Sequence, residues 1–451
     1  MIAIVPVVDE GLGNSSYLVD LGDGRALAVD PVRDPTPYLD LAHQRRLRIT
    51  HAVETHLHAD FVSGSRELAA HGAHILAARA AELRFPHQGL DDQQELDLGG
   101  LVLRAVATPG HTPEHLAWLL LDAGRPLALF SGGALLVGGV ARTDLITPEQ
   151  TEPLTRAAWR SLQRLQALPD ELPVYPTHGA GSFCSTPGEA ERITTIAAEQ
   201  AHNPLLAAPD EHAFTKRLLG GLGSFPPYFL RLREVNQRGP RLLGDDDRVL
   251  PALPVEQVRR LLEDGAVLVD VRPVKAFAAG HPAGALSITL RPAFATWLGW
   301  LVESDRPLLF VLDDGQDRGD LLRQCFNIGY ERLAGELLGG MAAWAAAGLP
   351  EDHLELVAPS EVAGPVLDVR QASEVAAGHL PGAVSVELGA LGSDGGQGLP
   401  AGPLTVMCEH GERAMTAASL LVRAGRGGLR VVIGGGPAEW SQATGRPLTR
   451  P

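Results

Sequence analysis

Lysine and long apolar runs are both scarce in this chain of 451 residues. Lysine occurs only at Lys216 and Lys275, and 54 acidic residues outnumber 38 basic ones, so the formal net charge is −16. Such a surface repels nucleic-acid and lipid phosphates, and we expect neither nucleic acid nor a membrane among the partners. No apolar run approaches the ~20 residues of a spanning helix, and the N-terminus lacks the pattern of a cleavable signal.

Cysteine is also rare, with Cys184, Cys325 and Cys408 spread far apart. Three such thiols cannot form a disulfide framework, and this usage is typical of a reducing compartment. The sequence therefore predicts a soluble, cytoplasmic protein in which a thiol can serve chemistry. At a prior of about 150 residues per domain, the length predicts roughly three domains.

Strand and turn signals alternate through the first half of the chain. Tyr17–Leu21 and Ala26–Val29 flank an Asp-Gly turn, a pattern that predicts a β-hairpin. Apolar residues at three- and four-residue spacing predict helices over Ser65–His71 and Pro153–Ala167.

The C-terminal half contains an internal repeat of roughly 100 residues. Val267–Arg272 recurs as Val366–Arg370, and Gly280–Ser287 recurs as Gly378–Ser385. Buried strands that alternate with helices favour a parallel sheet in each copy. We therefore predict duplicated α/β domains rather than solenoid repeats.

Histidine-bearing segments give the strongest chemical signal. In extended backbone, residues two apart project to one side, so His56, His58 and Asp60 can converge. Imidazole combined with a carboxylate suits Zn or non-haem Fe(II). The segments that predict this metal site each adjoin a strand and a Gly or Pro turn: Glu54–Phe61, Thr108–His115 and Tyr175–Ser182.

These segments resemble the metallo-β-lactamase superfamily, whose His-x-His-x-Asp-His signature appears here as His56–Phe61. Within that superfamily they are most similar to the persulfide dioxygenases and their rhodanese-fused bacterial relatives, over roughly residues 1–240. The resemblance rests on four stretches: Thr55–Gly64, Thr108–Glu114, Gly138–Asp144 and Pro176–Cys184.

The resemblance implies an iron ion held by His56, His111 and an aspartate from a Thr-Gly-Asp turn. That turn reads Ser-Gly-Gly here, so Gly133 replaces the carboxylate, and Phe61 replaces a histidine of a second metal position. The two losses disfavour a binuclear hydrolase site, because such a site needs both side chains.

We therefore expect one metal ion per chain, Fe(II) with Zn as the alternative, and the resemblance also implies that Arg142 and Asp144 support it as a buried ion pair. The expected ligands are His56, His58 and His111, with Asp60 and His178 as further candidates. A degenerate domain without metal is the alternative that the sequence leaves open.

The second repeat carries the loop Cys408–Arg413 between a predicted strand and a predicted helix. Backbone N–H groups of such a loop can surround one sulfur and favour the thiolate, and Arg413 adds positive charge. This cysteine can carry sulfane sulfur as a persulfide. The loop is similar to the Cys-x-x-Gly-x-Arg loop of the rhodanese family, whose other signatures match Asp368–Arg370 and Gly378–Ala383.

The aligned loop of the first repeat begins with Leu312, which cannot carry sulfur. That repeat therefore resembles an inactive rhodanese with a scaffold or docking role. We expect Cys184 and Cys325 to be buried core thiols. Glu409 and Glu412 beside the reactive loop are expected to repel a strongly anionic donor such as thiosulfate, which favours a persulfide donor.

The resemblances together imply an α/β protein of several domains. An αββα metallo-β-lactamase-like sandwich is expected at residues 1–240 and a linker at 241–251. Rhodanese-like α/β domains with parallel sheets are expected at 252–350, without the catalytic cysteine, and at 357–451, with Cys408.

The implied function is that of a mononuclear-metal persulfide dioxygenase, which converts a thiol persulfide such as glutathione persulfide and O2 to sulfite and thiol. Sulfane-sulfur transfer through Cys408 and Arg413 would be coupled to it. Two alternatives stay open: a glyoxalase II-like thioester hydrolase, and a sulfurtransferase or persulfide-binding protein with a degenerate metal domain. The sequence leaves a homodimer open as well.

Overall fold

The computed structural model describes residues 2–185, 191–394 and 396–450. Within these residues the chain forms two compact units, one made of Met1–Gly244 with Arg323–Gly329 and the other of Asp245–Leu322 with Tyr330–Pro451. In the described part of the chain, no helix combines the length and the apolar character that a bilayer span requires.

The strands of the first unit form two mixed sheets. The order β1–β2–β3–β4–β5–β6 defines the first sheet, with β1 Ile4–Asp9, β2 Asn14–Asp20, β3 Arg25–Val29, β4 Arg48–Val53, β5 His74–Ala78 and β6 Gln88–Leu90. The order β12–β11–β10–β9–β8–β7 defines the second, with β7 Glu95–Asp97, β8 Leu101–Ala107, β9 Leu116–Asp122, β10 Arg125–Gly132, β11 Pro173–Pro176 and β12 Thr194–Thr195. The predicted hairpin is confirmed, since β2 and β3 pair antiparallel.

Strand β9 shows why the second sheet is buried on both faces. Its Leu116, Trp118 and Leu120 belong to the core between the two sheets, whereas Leu119 and Leu121 belong to a core shared with helices. Successive residues of a strand point to opposite faces, so a strand that is apolar at every position requires a layer on each side. The sequence of β9 therefore specifies a central layer.

Helices cover the outer faces of both sheets, which confirms the expected αββα sandwich. Helices α3 and α5 share a core with the second sheet, and α1 and α2 contact β4 of the first. The helix predicted from Pro153 begins five residues earlier, because the polar residues before Pro153 carry no apolar periodicity. The bounds are α1 Thr36–Arg45, α2 Ser65–Ala70, a 3-10 turn at Arg79–Ala81, α3 Pro148–Leu165, α4 Ile196–His202, α5 Glu211–Gly220 and α6 Phe229–Arg238.

In the second unit, each copy of the sequence repeat forms its own parallel sheet, as predicted. The first copy has the order β13–β18–β17–β14–β16, with β13 Ala252–Leu253, β14 Val267–Asp270, β16 Leu286–Ser287, β17 Leu308–Val311 and β18 Leu333–Leu337, beside a pair formed by β15 His281–Pro282 and β19 Glu351–Asp352. The second copy has the order β20–β24–β23–β21–β22, with β20 Glu355–Val357, β21 Val366–Asp368, β22 Val384–Ser385, β23 Leu404–Met407 and β24 Leu429–Val432.

Helices follow the strands in both copies, as parallel connections require. A 3-10 turn at Asp245–Arg248 begins the unit, and another lies at Pro359–Glu361. The first copy contains α7 Val255–Glu263, α8 Val274–Ala279, α9 Phe294–Leu301, α10 Arg318–Asn327 and α11 Gly340–Ala346. The second contains α12 Ala372–Ala377, α13 Leu388–Asp394, α14 Glu412–Arg423 and α15 Pro437–Thr444.

Both copies hold the same buried ion pair at the end of a central strand. Arg272 donates to Asp270, and Arg370 donates to Asp368, with closest distances of 2.6 and 2.8 Å. Each arginine also donates to a carbonyl oxygen eight residues further along the chain, at 2.9 and 2.7 Å. The repeated Asp-Val-Arg motif is therefore a repeated structural device.

Shortening Phe310 in β17 tests whether this strand anchors the core of the first copy. The side chain is fully buried, so Phe310→Ala is expected to lower the free energy of unfolding of its unit by about 3–5 kcal/mol. Guanidinium denaturation followed by fluorescence measures the change. Leu338→Ala, at a side chain that is 54% exposed, serves as the control and should cost less than about 0.5 kcal/mol. Equal effects of the two variants would contradict the assigned burial.

Candidate functional site

Five buried histidines of the first unit lie at strand ends in the described part of the chain. His56 and His58 follow β4, His111 lies between β8 and β9, His115 directly precedes β9, and His178 follows β11. The loops at these strand ends bring together the histidine-bearing segments that the sequence singled out. Which atoms face one another depends on the hydrogen bond that each ring makes.

The His56 ring is oriented by a relay through Thr55. Its Nδ1 lies 2.8 Å from Oγ1 of Thr55, and that hydroxyl donates to Oδ2 of Asp30 at 2.7 Å. Because the hydroxyl proton is directed at Asp30, the oxygen accepts from His56. The proton of His56 is therefore on Nδ1, and Nε2 presents a bare lone pair.

The rings of His111 and His178 are oriented in the same sense. Nδ1 of His111 lies 2.6 Å from the carbonyl oxygen of Arg142, which can only accept. Nδ1 of His178 lies 3.0 Å from Oδ1 of Asn14, whose amide nitrogen donates to Oδ2 of Asp60 at 2.8 Å. Both rings therefore also carry their proton on Nδ1 and leave Nε2 bare.

The three bare nitrogens converge on one place. Nε2 of His56 and Nε2 of His178 are 3.3 Å apart, and Nε2 of His111 is buried without a hydrogen-bond partner in the described part of the chain. Ligand atoms of the three residues lie within 4.8 Å of one another. Lone pairs this close repel one another unless a cation lies between them, and three imidazoles are a ligand set of catalytic metal sites. The residues therefore fit one metal ion.

Burial keeps the rings of His56 and His111 neutral. It lowers the pKa of His111 to about 3 and the pKa of His56 well below its ordinary value, and the neighbouring histidines add to the effect. A neutral imidazole is the form that binds a metal.

His58 has a different environment from its neighbours. Its Nε2 lies 3.2 Å from a carboxylate oxygen of Asp30 and 3.2 Å from one of Glu54. Burial alone would lower the pKa of His58, but these carboxylates raise it to about 10. In the described part of the chain, candidate ligand atoms group His56 and His111 with His178, and group His58 with Asp60 and His178 and also with Asp30 and Glu54. His58 therefore stays an expected ligand from the sequence, and His178 joins His56 and His111 in the converging group.

Asp60 and Cys184 lie beside this cluster. Burial alone would raise the pKa of Asp60. The neighbouring His178 and the hydrogen bond from Asn14 outweigh burial and lower this pKa, so the carboxylate stays ionised. Asp60 forms a second group of ligand atoms with His58 and His178. Burial raises the pKa of the Cys184 thiol, and Asp60 raises it further. The buried position expected for Cys184 is observed, next to the cluster.

Gly133 packs directly against the ring of His111. A Cβ atom built there would lie 2.6 Å from Cδ2 of His111 and 3.0 Å from Cβ of Ala141. The backbone N–H of Gly133 donates to Nε2 of His115 at 3.0 Å. The space beside residue 133 is therefore filled by imidazole rings rather than left for a carboxylate.

Arg142 and Asp144 form an ion pair next to the backbone segment that contacts His111. The guanidinium donates to both carboxylate oxygens, at 2.7 and 2.9 Å, and lies 4.4 Å from the ring centroid of Phe225. The Arg142 side chain is 4% exposed. Since the Arg142 carbonyl accepts from His111, this pair fixes the segment that orients a ring of the cluster.

Several residues that position the rings were not predicted. Asn14 and Asp30 lie far from the histidine segments along the chain, and no spacing links them to those segments. A polar residue directly after the apolar strand Ala26–Val29 was the signal available for Asp30. His115 lies within the predicted metal-site segment Thr108–His115, but its role as the acceptor for the Gly133 N–H depends on tertiary contacts.

The loop around Cys408 forms the expected sulfur cradle. The Sγ atom accepts from the backbone N–H of Gly411 at 3.1 Å and of Ala414 at 3.4 Å. Gly411 has φ +118°, a conformation that side chains other than glycine rarely adopt. The loop can therefore turn its N–H groups toward the sulfur at the start of α14.

Carboxylates balance the positive charges beside this thiol. Arg413 donates through both terminal nitrogens to Glu374, at 2.6 and 2.7 Å. Arg370 lies 3.4 Å from Glu409. In the first copy the corresponding loop begins with Leu312, whose side chain is buried.

Comparisons with known proteins agree with this architecture. A model described as the metallo-beta-lactamase superfamily matches residues 9–178, and a model described as the rhodanese-like domain matches residues 254–347 and 349–443. A crystal structure of a metallo-beta-lactamase from Staphylococcus aureus superposes with a TM-score of 0.66 at 28% identity, over 75% of this chain and 99% of that one.

Curated relatives include enzymes of two names. The hydroxyacylglutathione hydrolase of Rhodobacter capsulatus is 32% identical over 46% of this chain and 87% of its own length. That of Methylococcus capsulatus is 37% identical over 39% of this chain and 64% of its own, less than two thirds of that enzyme. The mitochondrial persulfide dioxygenase ETHE1 of Homo sapiens is 28% identical over 46% of this chain and 76% of its own.

The chain belongs to the metallo-β-lactamase superfamily. It carries two rhodanese-like domains after the metallo-β-lactamase domain, and the human persulfide dioxygenase is among its relatives.

Adding a methyl group at Gly133 tests the packing against His111. Gly133→Ala is expected to displace the His111 ring, because the new Cβ would overlap it, and to lower metal affinity at least about 10-fold. Iron content after anaerobic dialysis against graded Fe(II) measures this. Gly220→Ala, at a position with open space around it, is the matched control. Unchanged iron binding by Gly133→Ala would show that the ring position is not critical.

Proposed function

We propose that this protein is a persulfide dioxygenase with one metal ion per chain, coupled to sulfane-sulfur transfer. The observation that carries the proposal is the convergence of the three bare Nε2 atoms of His56, His111 and His178. Phe61 and Gly133 stand where the resemblance places further ligands of a binuclear site. A single-ion site therefore suits these residues better than a binuclear hydrolytic one.

We propose Fe(II) as the ion, with Zn as the alternative. Bound ferrous iron would supply the redox chemistry by which O2 oxidises a thiol persulfide. The overall reaction balances as persulfide, O2 and water giving thiol, sulfite and two protons. His56, His111 and His178 would hold the ion, and their Nδ1 acceptors would keep the rings aimed at it.

The surrounding residues would contribute orientation and charge. The ionised carboxylate of Asp60 lies 3.2 Å from Nδ1 of His178, and such a neighbour makes an imidazole a stronger ligand. Arg142 and Asp144 would hold the segment whose carbonyl group orients His111.

We propose Cys408 as the residue that transfers sulfane sulfur. Its thiolate would attack the outer sulfur of a thiol persulfide, so that a new S–S bond forms, the donor's S–S bond breaks, and the donor leaves as a thiolate. The N–H groups of Gly411 and Ala414 would stabilise the negative charge on sulfur. Joining both activities in one chain raises the effective concentration of the shared sulfur species.

Thioester hydrolysis is a second candidate function, because relatives called hydroxyacylglutathione hydrolases are more than 30% identical to this chain. It requires a metal-bound hydroxide rather than O2. The same enzyme preparation distinguishes the two reactions.

The dioxygenase proposal predicts oxygen consumption that depends on His178. The protein loaded anaerobically with Fe(II) should consume O2 when glutathione persulfide is added and release sulfite. His178→Ala should lower iron content and oxygen uptake at least about 10-fold, whereas His43→Ala, at an exposed position, should change neither. Hydrolysis of a hydroxyacylglutathione thioester without persulfide-dependent oxygen uptake would favour the second candidate instead.

The transferase proposal predicts that Cys408 is needed for one activity only. Cys408→Ser should abolish transfer of sulfane sulfur from glutathione persulfide to cyanide, because serine cannot carry the sulfur. Oxygen uptake should stay within about twofold of the parent value, because Cys408 is not among the proposed metal ligands. Cys325→Ala, at the buried thiol of α10, is the control and should retain transfer. Transfer by the Cys408→Ser variant would place the reactive sulfur elsewhere.

A further inference from the structure

The electrostatics around Cys408 differ from those of a site built for anions. The guanidinium group of Arg413 interacts electrostatically with this thiol, that of Arg370 lies beside Glu409 of the same loop, and each is bound to carboxylates. Arg370 is held by Asp368 and lies 3.4 Å from Glu409. The positive charges that could attract an anionic sulfur donor are therefore already neutralised inside the protein.

Glu374 is the residue that holds Arg413. Its two oxygens accept from the two terminal nitrogens of Arg413, at 2.6 and 2.7 Å, in the paired geometry that gives strong and specific ion pairs. The Arg413 side chain is only 15% exposed, and that of Glu374 is 34% exposed. Because the pair is largely shielded from water, solvent weakens it less than it weakens a surface pair.

The backbone of α12 fixes Glu374 in this position. Oε2 also accepts from the backbone N–H of Gln371 at 2.9 Å, so Glu374 closes a capping box at the start of the helix. Burial alone would raise the pKa of Glu374. The hydrogen bonds from Arg413 and from the backbone N–H of Gln371 outweigh burial and lower this pKa below its ordinary value. The carboxylate is thus ionised and held in place before any donor arrives.

We propose that Glu374 determines the donor class of Cys408: by neutralising Arg413 it selects thiol persulfides and excludes dianionic donors such as thiosulfate. The inference rests on the proposed sulfur transfer through Cys408. A persulfide brings at most one negative charge on the reacting sulfurs, whereas thiosulfate brings two charges into a loop that already contains Glu409 and Glu412.

The excluded reaction is chemically complete, so only recognition limits it. Attack by the Cys408 thiolate on the outer sulfur of thiosulfate would form a Cys408 persulfide anion, break the S–S bond of the donor and release sulfite with the bonding electron pair. No further oxidant or reductant is needed. Freeing Arg413 should therefore be enough to open this route.

Glu374→Gln tests the proposal because it removes the charge and keeps the shape. The variant should raise kcat/KM for thiosulfate about 10-fold, as expected when a charge-assisted hydrogen bond becomes available to a ligand, and should change kcat/KM for glutathione persulfide less than about twofold. Glu361→Gln is the matched control, since Glu361 closes an equivalent cap at Ala358 of the same copy. It should alter neither rate.

A binding measurement separates the two proposals. In the Cys408→Ser background, where no sulfur can be transferred, Glu374→Gln should tighten thiosulfate binding measured by calorimetry about 10-fold, and Glu361→Gln should not. Unchanged binding would overturn the role of Glu374 even if transfer by the parent protein is normal. Transfer from no donor by the parent protein would overturn the sulfurtransferase function, and equal use of thiosulfate and persulfide by it would overturn the selectivity.

Discussion

The Nδ1 atoms of His56, His111 and His178 each face an oxygen acceptor, and the character of the metal site follows from that arrangement. An imidazole that donates from one nitrogen must present a lone pair at the other. The acceptors come from separate parts of the first unit: a threonine side chain, a backbone carbonyl and an asparagine amide. The fold therefore orients the three Nε2 atoms before a metal binds. A bound cation would remove the repulsion between their lone pairs.

Two substitutions relative to the superfamily pattern act on this cluster from different sides. Gly133 removes a carboxylate, and the ring of His111 fills the space beside it. Phe61 removes a possible second-site ligand and stacks on His58, with ring centroids 4.1 Å apart. Nε2 of His58 in turn lies 3.2 Å from a carboxylate oxygen of Asp30 and 3.2 Å from one of Glu54. These carboxylates thus lie beside His58, and the rings of His56, His111 and His178 present the converging lone pairs for a metal.

Much of this organisation was predictable, and the failures have identifiable causes. The spacing in Thr55–Gly64 and the strand-ending positions of His111 and His178 indicated a metal site, and the repeated Asp-Val-Arg motif indicated duplicated parallel sheets. The carboxylate neighbours of His58 were not predictable from its position two residues after His56. Asp30 reaches this ring only through tertiary folding, which local sequence does not encode.

The rhodanese-like domains show which interactions the fold needs and which the chemistry needs. Both copies keep the buried Asp–Arg pair at the end of a central strand, whether or not a thiol is present. Leu312 places a buried apolar side chain where the second copy has its sulfur. In the second copy, backbone N–H groups donate to Sγ of Cys408, and the Glu374–Arg413 pair lies beside this loop. The determinants of stability thus lie at the strand ends and those of reactivity in one loop, so a copy can lose its chemistry and still fold.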